Sequence, residues 1–181
     1  KAETEAAKSA QVAQFLKDML AGVDSSAALG RDTTLLREIL DKTAEHVGKD
    51  LTNQPEVEAE LRMTLGRTYF EVGESVKSEA MYREALAIFR RLFGDENQKV
   101  ATALNGVPIS LWSRLWSERR WEEVESLYRE ALAIHKKISG GDSLEVTWPL
   151  NNLASVLREE GRTAEAELLH GEALRIRRKL L

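Results

Sequence analysis

Tyr82-Arg83-Glu84-Ala85-Leu86-Ala87-Ile88 returns letter for letter as Tyr128-Arg129-Glu130-Ala131-Leu132-Ala133-Ile134, and in worn form as His170-Gly171-Glu172-Ala173-Leu174-Arg175-Ile176. The steps between the three are 46 and 42 residues. Self-similarity at such a period marks stacked supersecondary units, none of which can bury its apolar face alone. The third unit lies on the first without a gap: Leu65-Gly66 falls on Leu153-Ala154, Tyr69 on Leu157, Gly73 on Gly161, Ser78 on Ala166 and Ile88 on Ile176. Each unit therefore reads as helix, tight turn at the glycine, helix. Small residues at Gly66 and Ala154, at Ser78 and Ala166, and at Ala85, Ala131 and Ala173 allow close approach of helices. Leu65, Tyr69, Tyr82 and Leu153 fill the space between them. A generic amphipathic helix would not return small residues in register with large ones.

Composition narrows the function classes. The chain has 181 residues, enough for one continuous stack without staples. Its 43% hydrophobic and 31% charged residues, with 3 prolines and 11 glycines, are those of a folded helical protein rather than a disordered or fibrous one. The absence of cysteine removes disulfides, thiolate metal sites and cysteine nucleophiles, so nothing asks for an oxidising compartment and a cytoplasmic setting is expected. Net charge is −4 from 26 basic and 30 acidic residues, interleaved along the helices, which argues against nucleic acid as a partner. No apolar run approaches the roughly 18 residues that span a bilayer, and no signal-peptide pattern opens the chain, so no membrane partner is expected. The chain begins on Lys1 and stops on Leu180-Leu181 without a helix-stop signal, as a segment of something longer would.

Upstream of the repeats, apolar residues recur at three- and four-residue steps from Thr4 to about Ala21, the pattern of an amphipathic helix, followed by a loop through Gly30. A second helix, capped by Asp32 or Thr33 and carrying Leu35, Leu36, Ile39, Leu40, Ala44 and Val47, is expected to stop at Gly48. These two helices read as an N-terminal cap or a degenerate repeat. The second repeat is the irregular one. It has Arg119-Arg120-Trp121 in place of the turn glycine, and four additional residues between Asn105 and Trp121. Four residues lengthen a helix by about one turn of 3.6. The spacing predicts a long first helix over about 100–118, bent or interrupted near Gly106-Val107-Pro108 because an interior proline loses a backbone bond.

No constellation supports catalysis. His46, His135 and His170 lie on separate helices without metal-ligand spacing, so no metal is expected. His170 stands where the other units have tyrosine and reads as a half-buried packing residue. The carboxylate runs Glu122-Glu123 and Glu159-Glu160 read as solvated faces, and the basic cluster Arg175, Arg177, Arg178 and Lys179 suits a helix C-terminus. There is no phosphate loop, nucleophile elbow or nucleotide fingerprint. No catalytic residue and no cofactor is expected. Trp112, Trp116 and Trp148 admit two readings, core packing of the irregular repeat or an exposed aromatic surface that anchors a ligand or a second copy.

Leu65-Gly66, Tyr69, Gly73, Tyr82 and Ala85 together resemble the tetratricopeptide repeat family. The 42-residue unit, with Leu150-Asn151-Asn152-Leu153-Ala154 in its first helix, is similar to the kinesin light chain subtype, widespread also in bacterial multi-repeat proteins. The segment upstream of Gln54-Pro55-Glu56-Val57 resembles what precedes such repeats in bacterial signalling proteins, some attached to serine/threonine kinase domains. The resemblance implies an all-α, right-handed superhelical solenoid of antiparallel helix pairs. Its parts are a helical cap or degenerate repeat over 1–52 and three repeats within 53–181, at about 55–96, 97–142 and 143–181. It also implies a non-enzymatic module that holds a peptide or protein segment in a concave groove lined by the first helices, within a larger regulatory or scaffold protein. On that pattern Met63, Arg67, Phe70, Asn105, Asn151, Ser155 and Arg158 match groove positions. Asparagine suits a peptide backbone because its amide donates and accepts at once, and it equally suits bridging between neighbouring repeats. The alternative function is self-assembly, a homo-oligomer formed end to end through the uncapped last helix or through the tryptophans.

Overall fold

The computed structural model describes residues 33–181, so the helix expected over Thr4–Ala21 and the loop after it lie outside the described residues. Helix α1 spans Thr33–Asp50 and runs past Gly48, which has no positive φ and is not a cap. Gly48 instead lies against α2, where an added Cβ would come within 2.8 Å of the Arg62 guanidinium. Close approach, not helix termination, is what this glycine supplies. Leu40, Val47 and Leu51 pack into a small core with Val57, Leu65, Tyr69 and Met81, and the Tyr69 hydroxyl donates to Asp41 at 2.8 Å.

Helix α2 (Pro55–Glu71) starts with proline at its first turn, where the missing N–H is not needed. It ends at Gly73 in the left-handed region, φ 82°, with Glu74 N–H donating to the Tyr69 carbonyl at 2.8 Å. Helix α3 (Ser75–Phe93) then returns along α2. The same turn recurs between α7 (Leu144–Glu159) and α8 (Thr163–Leu180), at Gly161 with φ 81° and an Arg162 N–H to Leu157 carbonyl bond of 2.8 Å. The small residues of the repeat are all buried at these contacts, and the Ser78 hydroxyl satisfies the Gly66 carbonyl at 2.7 Å.

The irregular repeat departs from expectation in where it breaks. Helix α4 (Gln98–Leu111) continues through Gly106, Val107 and Pro108. The interruption follows at a 3₁₀ turn, Trp112–Arg114, and a one-turn helix α5, Leu115–Glu118. Pro108 withholds only the bond to Leu104, and the surrounding core buries that stretch on every side. The additional length is accommodated instead at the exposed end, anchored by buried Leu115 and by an edge-on contact of Trp116 with Trp121, centroids 4.6 Å apart. Arg119 takes the left-handed conformation of the missing glycine, φ 53°, at a cost of about 1–2 kcal/mol. Helix α6 (Trp121–Ser139) completes the pair.

Successive helices pack in order, α2 on α3, α3 on α4, α4 on α6, α6 on α7 and α7 on α8, while α2 also touches α4. The second helices thus alternate with the first helices through one continuous core. No strand occurs among the described residues.

Candidate functional site

One cleft, of about 210 Å³, opens where the first helices converge. Phe70 comes from α2, Ile109 from α4, Trp112 from the 3₁₀ turn, and Asn152 and Ser155 from α7, with Tyr128 of α6 among its lining residues. Its walls combine aromatic and aliphatic surface with an amide and a hydroxyl, the mix that fixes a ligand's orientation while burying its apolar part. The Ser155 hydroxyl donates to the Asn151 carbonyl at 3.1 Å.

Two of the expected groove residues, Phe70 and Ser155, line this cleft, together with Trp112 of the aromatic set. Asn105 does not. It is only 6% exposed, with its amide nitrogen 3.4 Å from Nε2 of the equally buried His135, so it is closed off inside the stack. Met63 is half-buried against the main core, and Asn151 meets Nδ1 of His170 at 2.9 Å. Met63, Asn105 and Asn151 are equivalent positions in the three units, and Asn151 directly precedes Asn152 of the cleft lining. Asn152, absent from the expected groove set, lines the cleft, and Ile109 and Trp112 repeat the three-residue spacing of Asn152 and Ser155. That paired spacing was the available signal. Arg67 and Arg158 are exposed outside the lining, near Glu71 and Glu159 at 3.9 and 4.0 Å. His170, expected half-buried, is exposed. Trp116 and Trp148 are exposed away from the cleft, at 66% and 50%.

On α3, Glu79 gathers three guanidinium groups: Arg120 at 2.7 Å, Arg114 at 2.5 Å and Arg83 at 3.0 Å. Burial raises its pKa, but the three arginine hydrogen bonds outweigh burial and hold it at about 2. This cluster ties the 3₁₀ turn, through Arg114, and the loop before α6, through Arg120, to α3. No group of side chains among the described residues could hold a metal ion, and no helix among them is long and apolar enough to cross a membrane.

Tetratricopeptide repeat family models match residues 59–98 and 115–179, together more than half of the chain. The chain belongs to the tetratricopeptide repeat family. Repeats of this family generally serve as protein–protein interaction modules. Among solved structures the fold is similar to BtubC (BKLC) from P. vanneervenii, at 20% identity and a TM-score of 0.67, covering 98% of this chain and 76% of that one. It is also similar to a Podosopora anserina protein of the kinesin light chain type with nearly identical TPR-like repeats. There the identity is 14%, the TM-score 0.60, and the coverage 97% of this chain and 88% of that one. No curated protein matches the sequence. At these identities the likeness is one of fold, an all-α solenoid of helix pairs.

Proposed function

We propose that this tetratricopeptide chain is a non-catalytic interaction module that holds a peptide or protein segment in the cleft between α2, α4 and α7. In this reading it serves a larger cytoplasmic regulatory or scaffold protein, with residues 1–52 as the cap or degenerate repeat and 53–181 as the repeats. The observation that carries the reading is convergence. Phe70, Ile109, Trp112, Asn152 and Ser155 come from first helices of three successive pairs, or the turn that ends one, and meet in one cleft. An extended segment lying across the pairs would place one side chain there, with Asn152 available to its backbone.

The test is a displayed peptide library selected on the full chain, followed by affinity measurement on Phe70→Ala, Trp112→Ala and Ser155→Arg. The first two remove apolar wall and the third fills the cleft. Each should weaken a selected peptide about tenfold or more, since truncating a buried aromatic anchor at an interface commonly costs about 2 kcal/mol. Unchanged affinity in all three would remove the cleft from the function.

A further inference from the structure

The cleft contains a polar group that the fold itself leaves unanswered. Tyr128 is 2% exposed and lines the cleft, yet its hydroxyl makes no hydrogen bond among the described residues. Tyr69, equally buried on α2, donates to Asp41 at 2.8 Å. Leaving a buried hydroxyl without a partner is unfavourable, and such groups are rare unless something other than the fold satisfies them. Asn105 Oδ1 and His135 Nδ1 are also unpartnered, but they are sealed inside the stack. The Tyr128 hydroxyl is not sealed in this way, and the cleft is where its side chain meets the surface.

The other polar groups of the cleft define what could answer it. The Ser155 hydroxyl directs its proton to the Asn151 carbonyl at 3.1 Å, so towards the cleft its oxygen can only accept. The Asn152 amide makes no hydrogen bond among the described residues, and it both donates and accepts. Phe70, Ile109 and Trp112 supply apolar wall, and no charged residue is among the described lining. Arg67 and Arg158 lie outside it, each beside a carboxylate. Burial alone raises the Tyr128 pKa, with no charged group acting on it, so the phenol stays neutral. A cavity of about 150 Å³ holds a benzene ring; at about 210 Å³ the cleft admits a whole side chain.

We propose that Tyr128 sets the specificity of this cleft, which takes an uncharged side chain with an apolar stem and a tip that both accepts and donates, glutamine being the simplest case. The stem packs on the apolar walls, the tip carbonyl accepts from the Tyr128 hydroxyl, and the tip amide donates to the Ser155 oxygen. A carboxylate in that place is buried without a counter-charge, and a hydrocarbon leaves the phenol unpaired, so both are rejected. The inference rests on the cleft being the peptide site and names what that site selects.

The test selects random displayed peptides on the full chain and on Tyr128→Phe in parallel. Tyr128→Phe removes one oxygen and no hydrogen bond of the fold, so thermal unfolding should be unchanged. Glutamine should be enriched at one position in the parent pool. Replacing it in a selected peptide by methionine or by glutamate, which match it in length, should weaken binding to the parent about tenfold, the worth of one good net hydrogen bond. Tyr128→Phe should bind the glutamine and methionine peptides about equally. Tyrosine in place of glutamine supports the inference in the same way, with phenylalanine as its apolar counterpart. On the parent alone, equal affinity for the glutamine and methionine peptides overturns it, as does an undiminished preference in Tyr128→Phe. If Phe70→Ala still weakens the selected peptides, the cleft stands as the peptide site and only its selectivity falls. Selected peptides indifferent to Phe70→Ala, Trp112→Ala and Ser155→Arg overturn both.

Discussion

Tyr82 and Tyr128 hold the same place in successive repeats and both are buried, at 5% and 2% exposed, yet the next first helix meets them with different residues. Tyr82 lies between Gly66 and Gly106, so close that a Cβ on Gly106 would come within 2.4 Å of its ring and one on Gly66 within 3.1 Å. At the equivalent place in the next first helix stands Asn152, and the cleft that Tyr128 lines opens beside it. A glycine lets one helix backbone rest on an aromatic face, whereas a side chain at that position holds the helix away. One residue type in one register thus distinguishes the closed joint, where a ring lies on helix backbone, from the joint beside which the cleft lies. The cleft lies beside the interrupted repeat, not where the repeat is most regular.

The largest effect is expected from breaking the closed joint. Gly106→Ala should destabilise the protein by about 3 kcal/mol, because the ring it meets is itself locked in the core, and overpacking of this kind costs roughly 1–3 kcal/mol. Urea unfolding measures it. A loss below half a kilocalorie would mean that the joint relaxes freely and that the glycine does not set its closeness.

A second test makes the two joints alike. Asn105 and His135 occupy the places of Met63 and Phe89, and leave the Asn105 Oδ1 and His135 Nδ1 atoms buried without partners. Replacing both, Asn105→Met with His135→Phe, should raise stability at neutral pH by about 1–2 kcal/mol, since unsatisfied buried groups cost more than their apolar replacements. Burial lowers the His135 pKa below its ordinary 6.5, against a smaller opposing pull from Glu145. The unfolded chain therefore binds a proton that the folded chain resists, and stability falls as pH drops below about 6.5. The double variant should lose that part of the acid sensitivity, read as a flatter midpoint against pH between 7 and 5. An unchanged slope would place the sensitivity elsewhere.

The smallest effect concerns the turn that both regular repeats make with glycine. Arg119→Gly should stabilise by about 0.5–1 kcal/mol, the relief of a left-handed arginine less the backbone entropy glycine adds to the unfolded chain. Destabilisation in thermal unfolding would show that the Arg119 side chain contributes more than its strained backbone costs.

Much of the fold was legible because repetition makes each residue's place testable against its counterparts. Gly73 and Gly161 announced the turns, and the alanines of the repeated heptapeptide announced the close contacts, since both express local geometry that only certain residues satisfy. Pro108 did not interrupt its helix, because a proline's cost is local but the helix's response depends on what surrounds it. The same limit separated Asn151 from Asn152. Adjacent residues on a helix point about 100° apart, and which of them faces a ligand depends on how the helix is rotated in the stack.

By itself, then, the sequence determined the repeat, its 42-residue period, the helix–turn–helix unit and the second-helix packing strip around Tyr82-Arg83-Glu84-Ala85-Leu86-Ala87-Ile88. These follow from periodicity and from steric rules that hold within a few residues. Only the tertiary structure decided that Asn105 is shut away with His135 and that Phe70, Trp112 and Asn152 meet. Those depend on residues tens of positions apart, brought together by the rotation of each helix pair on the last, and no local rule contains that rotation.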